Sequence, residues 1–378
     1  MKISRKKLTG CISDFASQPY GSKDLVRIVA ATALLCSVLT LASGCRSRVE
    51  SRKPSIIFGH IPPSVVGGPD QLDQIDGRIV NGEPGTQVVI YAQSGRSWFV
   101  QPFRSRQLTE VAGDGSWSNV THFGQRYAAL LVRPGYHPTS TISTLPTVNE
   151  NILAITVVDG SANHATDPVI LHFSGYDWKV QTGLGDRSGE VCDYEASDVW
   201  VDGQGFLHML MGQEGGQWHC VGLRLTRSLG YGSYRFVVSN SARLPPSAVV
   251  QVFTYLDSED SAHRTGLGIQ LSRWGKPSED NAGYLVAPYY VPGNSTHFSI
   301  PNGLITHEIH WQPGMAEFAS FRGLSTASRD RITDHVFRGD IPIPSNETIR
   351  LDFYDFHHSH SSLQHPIEIV VQKFEYLP

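Results

Sequence analysis

The 378-residue sequence predicts an all-β protein, a small β-sandwich followed by a larger one. Three observations carry that reading. Strand-sized runs rich in β-branched and aromatic residues recur from Ile56 onward. Turn residues are plentiful, with 36 Gly and 22 Pro, and they fall between those runs. The second half alternates apolar and polar residues without a helical period.

The N-terminus is read separately from the fold. Lys2, Arg5, Lys6, Lys7, Lys23 and Arg27 precede an uncharged apolar run over residues 28–41, the pattern of a signal peptide. The run ends Leu41-Ala42-Ser43-Gly44-Cys45, which resembles a bacterial lipobox. That resemblance implies cleavage before Cys45 and lipidation of that residue. The expected location is the bacterial cell envelope, lipid-anchored to a membrane and facing the periplasm or the exterior. Residues 46–55 then read as a polar tether. A formal net charge of −4 argues against a nucleic-acid partner, which calls for a basic patch or stripe. No stretch after residue 45 approaches the 18 apolar residues of a spanning helix.

Residues 56–147 are expected to form the small sandwich. The runs at 87–91, 98–100 and 127–132 alternate with the turn stretches NGEPG, QSG, AGDGS and RPGY. Trp98, Phe99 and Trp117 are its tempting sugar-stacking residues, although two of the three are expected in its core. TSTISTLPT, at 139–147, reads as a linker rich in Ser, Thr and Pro. The run at 152–158 is strand-like and fits either the end of the first domain or the start of the second. The boundary is set at 148, so the second domain covers 148–378.

The second domain contains DVWVDGQGFLHMLM, WHCVGLRLTRSLGYGSYRFVV, THEIHWQPGMAEFASFRG, LDFYDF and IEIVVQKFEYLP. Between them lies QVFTYLDSEDSAHRTGLGIQLSRWG, at 251–275. The end of that stretch resembles the catalytic strand of glycoside hydrolase family 16, the laminarinase and lichenase group, and the other runs match the family in order. The resemblance implies a concanavalin A-like jelly roll. The family strand reads Glu-x-Asp-x-Glu, and positions i, i+2 and i+4 of a strand share one face. The outer two backbones stand roughly 13 Å apart, so their side chains lean together to reach the roughly 5–5.5 Å of a retaining pair. Here Gly266, Gly268 and Gln270 hold those three places. None can ionise or attack a sugar. A one-residue slip would substitute Thr265, Leu267 and Ile269, which are no better.

The resemblance therefore implies a polysaccharide-binding domain that has lost catalysis, with a polysaccharide or oligosaccharide as partner. It also implies that Trp274, Tyr289, Tyr290 and Trp311 stack on sugar, with Arg273 and Asn281 as polar partners. Two other readings stay open. One is an active glycosidase acting on a β-glucan-type polysaccharide with displaced carboxylates, drawn from Asp257, Glu259, Asp260, Asp352 and Asp355. The other is a structural or protein-interaction module.

Cys192 and Cys220 are the cysteines left after Cys11, Cys36 and Cys45, and they fit either a disulfide or two buried thiols. His357, His358, His360 and His365 have the close spacing of metal ligands but sit in a Ser-rich, loop-like stretch. His307 and His310 fall on opposite faces of a strand. No metal and no cofactor is expected.

Overall fold

The computed structural model describes residues 53–65, 71–162, 168–187, 190–214, 217–255, 266–277, 280–356 and 363–378. The signal peptide, Cys45 and the tether as far as residue 52 therefore lie outside the described residues; the expected tether ends earlier than residue 55, because Ser55 already begins a strand. So do Asp257, Glu259, Asp260, His357, His358 and His360. The described elements are strands and a few short 3-10 turns, as expected of an all-β chain. No helix among the described residues is long and apolar enough to cross a membrane.

In the first domain, a three-stranded sheet packs on a six-stranded one. The three strands are Ser55–Phe58, Leu72–Val80 and Ser116–His122. The central strands of the other sheet are Gln87–Ser94 and Arg126–Val132. Ile75, Ile79, Val88, Ile90, Trp117 and Tyr127 fill the space between the sheets. Because successive side chains alternate, Val89, Tyr91, Leu130 and Val132 point to the other face, and they are buried too.

The residues at 139–147 supply part of that second cover. Ile142 and Leu145 pack on the cluster around Trp98, and Thr141–Ile142 pairs with Ser97–Gln101. The expected linker is thus a folded part of the first domain. The boundary moves as well: Ile152–Asp159 pairs antiparallel along Arg126–Val132 and closes this sheet. The strand is retained because its pairing covers an edge and buries Ile152. Trp98 and Trp117 are core residues, only 5% and 3% exposed.

The second domain is a jelly-roll sandwich of two sheets. The smaller sheet runs, in spatial order, Val199–Val201, Leu207–Met211, Ile367–Leu377, Gly232–Ser239, Leu304–Gln312, Met315–Arg322 and Arg331–Phe337. The larger sheet runs Ile170–Phe173, Tyr176–Val180, Gln217–Leu225, Thr348–Asp355, Ala248–Tyr255, Leu267–Leu271, Ala282–Val286 and Ser295–Phe298. A hairpin, Gly183–Arg187 with Glu190–Tyr194, joins its Gln217–Leu225 strand through a short parallel pairing. One apolar core lies between the sheets, including Trp178, Phe236, Ile269, Trp311, Phe353 and Phe374.

A polar bridge crosses this core. The Tyr284 hydroxyl lies 2.6 Å from Ser320 Oγ, which lies 2.8 Å from His307 Nδ1. His307 is 1% exposed, and its Nε2 has no hydrogen-bond partner among the described residues. Burial pushes the imidazole down to about 3. The unfolded chain takes up a proton near pH 6.5 and the folded chain does not. Acidification below about 6.5 therefore removes stability, down to about pH 3 where the folded ring also protonates. Between pH 7 and 5 this one group should cost about 2 kcal/mol. His307→Leu should lose that increment when urea midpoints at the two pH values are compared. An unchanged difference would place the ring in a solvated site.

Candidate functional site: the outer face of the larger sheet

Leu267, Ile269 and Leu271 point into the core, so Gly268 and Gln270 face outward. The neighbouring strands follow the same alternation, and their registers build two rows across the outer face. One row reads Gly222, Asp352, Gln251, Gln270, Gly283, His297. The other reads Arg224, Arg350, Phe253, Gly268, Leu285, Ser295. Asp352 is the one carboxylate in the two rows.

The glycines on this face are shaped by their neighbours. A Cβ on Gly266 would stand 2.6 Å from the Thr254 carbonyl oxygen, so a larger residue there must move backbone. One on Gly268 would meet Leu285 Cδ1 at 3.1 Å and Phe253 Cβ at 3.2 Å. Gly222 lets Gln181 and Tyr194 press against the sheet; its Cβ would stand 2.8 Å from Gln181 Oε1.

A buried ionic cluster occupies the middle of the face. The Arg187 guanidinium reaches in from the hairpin and donates to Asp352 Oδ2. Arg350 Nε donates to Asp352 Oδ1 at 3.0 Å, and Arg350 Nη2 donates to Gln181 Oε1 at 2.5 Å. Asp352 is fully buried and Arg350 is 3% exposed. Arg187 also lies over the rings of Tyr354 and Phe253, 5.4 and 5.9 Å from their centres. Cys192 and Cys220 form a disulfide that fastens the hairpin strand to the sheet. Tyr194 is fully buried beside them, and burial pushes its phenol up.

Both oxygens of Asp352 are thus engaged as acceptors from fixed guanidinium groups. Asp355 lies three residues along the strand, on the opposite face, so it cannot flank the same bond. Asp352 and Asp355 therefore do not form a displaced catalytic pair.

Several expected sugar contacts are corrected. Trp311 is 1% exposed in the core, and its indole N–H donates to the Pro342 carbonyl at 3.1 Å. It shares the core-facing alternation of Ile305, His307 and Ile309, so no ring face is available. Arg273 donates from both terminal nitrogens, to the Leu244 and Ala242 carbonyls at 3.1 and 3.2 Å. It ties a turn to the strand end and does not point outward. Asn281 exchanges two hydrogen bonds with the Ile300 backbone and closes a loop. Trp274 is half-buried with φ of 51° and packs edge-on against Phe356, at 5.3 Å. It borders the disulfide cluster.

Tyr289 and Tyr290 are 69% and 78% exposed. Their turn abuts the start of the Leu267–Leu271 strand, since Ala287 N donates to the Gly266 carbonyl at 2.8 Å. Of the histidines, His365 is exposed, while His310 bonds Ser233 Oγ at 2.7 Å. Among the described residues no group of three His, Cys, Asp or Glu side chains is placed to hold a metal.

Sequence reasoning missed Arg187, Gln181 and Gln251. A signal existed for part of the cluster: RLDFYD alternates, placing Arg350, Asp352 and Tyr354 on one face and Leu351 and Phe353 on the other. Nothing in the sequence pointed to Arg187, whose hairpin folds onto the face from a separate segment.

No family model matches the chain. No curated protein matches it either. Among solved structures, it is similar to a β-glucanase of Bacillus licheniformis, with TM-score 0.44 and 16% identity, covering 57% of this chain and 100% of that one. It is similar to a β-1,3-1,4-glucanase (lichenase) from a mouse hindgut metagenome, with TM-score 0.41 and 16% identity over 53% of this chain and 92% of that one. A third is an immunostimulatory antigen and pseudo β-1,3-glucanase of Mycobacterium tuberculosis, with TM-score 0.40 and 14% identity over 52% of this chain and 88% of that one.

Proposed function

We propose that the second domain binds a polysaccharide on the outer face of its larger sheet and does not cleave it. The observation that supports this reading is the composition of the face. Gln251 and Gln270 stand side by side across two strands, flanked by glycines, Phe253 and His297. Paired amides can donate to and accept from sugar hydroxyls. Glycoside hydrolysis needs two carboxyl groups flanking one bond, about 5–5.5 or 6.5–9.5 Å apart. The rows offer only Asp352, enclosed by Arg187 and Arg350.

A panel of neutral and acidic glycans titrated into the full chain tests the proposal. Replacing Gln251 and Gln270 together by alanine should weaken the bound glycan roughly tenfold, the effect of one or two lost hydrogen bonds. Tyr290→Ala should weaken it as well. Failure of every glycan to bind would favour the protein-interaction reading, which the disulfide-fastened hairpin across the face supports.

The proposal includes a tether. Cys45 carries the lipid and holds the chain in the bacterial envelope. Labelled palmitate should enter the wild-type chain and not the Cys45→Ala variant; equal labelling would remove Cys45 from the account.

A further inference from the structure

We propose that the cavity between the first domain and the hairpin of the second is a separate binding site for an acidic saccharide, one bearing carboxylate or sulfate. The cavity has a volume of about 450 Å³. Small-molecule sites commonly fall within roughly 300–1,000 Å³ and lie where domains meet. Phe103, Arg104, Arg106, Asn119, Tyr136 and His137 line it from the first domain, and Val191 borders it from the hairpin.

The chemistry of the lining selects the ligand. It holds two guanidinium groups, an imidazole and two amides, and no Asp or Glu, while Glu190 next to Val191 takes one terminal nitrogen of Arg106. That balance runs against the chain as a whole, whose net charge is −4. Planar guanidinium groups match carboxylate and sulfate oxygens with paired hydrogen bonds. Arg106 is already placed: its guanidinium lies 5.4 Å from the Phe103 ring centre and bonds Glu190 of the hairpin at 2.8 Å. Arg104 is exposed at the mouth. The neutral part of the lining suits a sugar. Tyr136 and the prolines at 102 and 138 supply apolar surface, while Asn119 and Gln107 supply amides.

The site is also pre-formed. Asn119 Nδ2 donates to Thr109 Oγ1 at 2.7 Å, which fixes the amide. Arg106 N donates to the Phe103 carbonyl at 3.1 Å, and Tyr136 N to the Arg133 carbonyl at 3.2 Å, which fixes both loops. The His122–Asp186 contact at 3.2 Å is a second link between the first domain and the hairpin.

Calorimetric titration of the full chain tests this assignment. The probes are a galacturonic acid trisaccharide, a sulfated galactan trisaccharide, the neutral galactose trisaccharide and inorganic sulfate. At least one acidic trisaccharide should bind ten or more times tighter than the neutral one and than sulfate. Arg104→Gln should weaken that binding at least tenfold and leave the melting temperature unchanged, because the side chain is exposed. The Gln251→Ala, Gln270→Ala double variant should leave it intact, which separates this site from the outer face of the sheet. Binding of neither acidic probe overturns the proposal. So does equal binding of the neutral sugar, equal binding of sulfate alone, or an Arg104→Gln variant that binds normally.

Discussion

Asp352→Ala is expected to destabilise the second domain by about 3–5 kcal/mol, the cost of removing one partner from a buried ion cluster. Asp352 is fully buried and accepts from both Arg187 and Arg350. Removing it leaves two guanidinium groups together in a space closed by Tyr194, Tyr354 and Phe253. Their mutual repulsion and lost solvation are then uncompensated. The sign reverses when the whole cluster goes. Replacing Arg187, Asp352 and Arg350 together by Met, Leu and Met should recover most of the loss, since apolar residues of similar volume often match a buried ionic group in stability. Urea midpoints of the single and triple variants measure both. A single-variant loss below about 1 kcal/mol would mean that water reaches the cluster.

The second large effect belongs to the disulfide. Replacing Cys192 and Cys220 by alanine should cost about 3.5 kcal/mol, the loop-closure entropy of a 28-residue separation. Among the described residues, the hairpin strand Glu190–Tyr194 pairs with the sheet at Asp193 with His219 and at Tyr194 with Cys220. The covalent link sits at that short pairing, so its loss should free the hairpin. Limited proteolysis should then cut within 183–194 in the variant and not in the wild type. An unchanged midpoint with unchanged protection would show that the Arg187 cluster and the Arg106–Glu190 and His122–Asp186 contacts hold the hairpin without the disulfide.

Much of the fold was legible because strand alternation and turn residues are local signals. LGIQL puts three apolar residues on one face and Gly268 and Gln270 on the other, and the structure shows that arrangement. The same rule, applied to LITHEIHWQ, puts Trp311 with Ile305, His307 and Ile309 on the core face, whereas the family resemblance implies a sugar contact. Residues 139–147 were misread for another reason. Ser, Thr and Pro mark a linker by composition, but two apolar residues, Ile142 and Leu145, are enough to fold the segment over a sheet that needs cover on both faces. The boundary at 148 failed because a strand's partner is not encoded in its own sequence. Ile152–Asp159 could have joined either domain, and only pairing with Arg126–Val132 decides. The buried ionic cluster on the outer face was hidden for the same reason. Its parts come from Arg187, Asp352 and Arg350, brought together across 165 positions.

The proposal that the chain binds a glycan without cleaving it is tested most directly by incubating the full chain with a glycan it binds and counting new reducing ends over time. The expected count equals that of the glycan alone, because Gly266, Gly268 and Gln270 supply no acid and no nucleophile. Steady release of reducing ends, abolished by Asp257→Asn or Glu259→Gln, would contradict it and make the chain a glycosidase with displaced carboxylates.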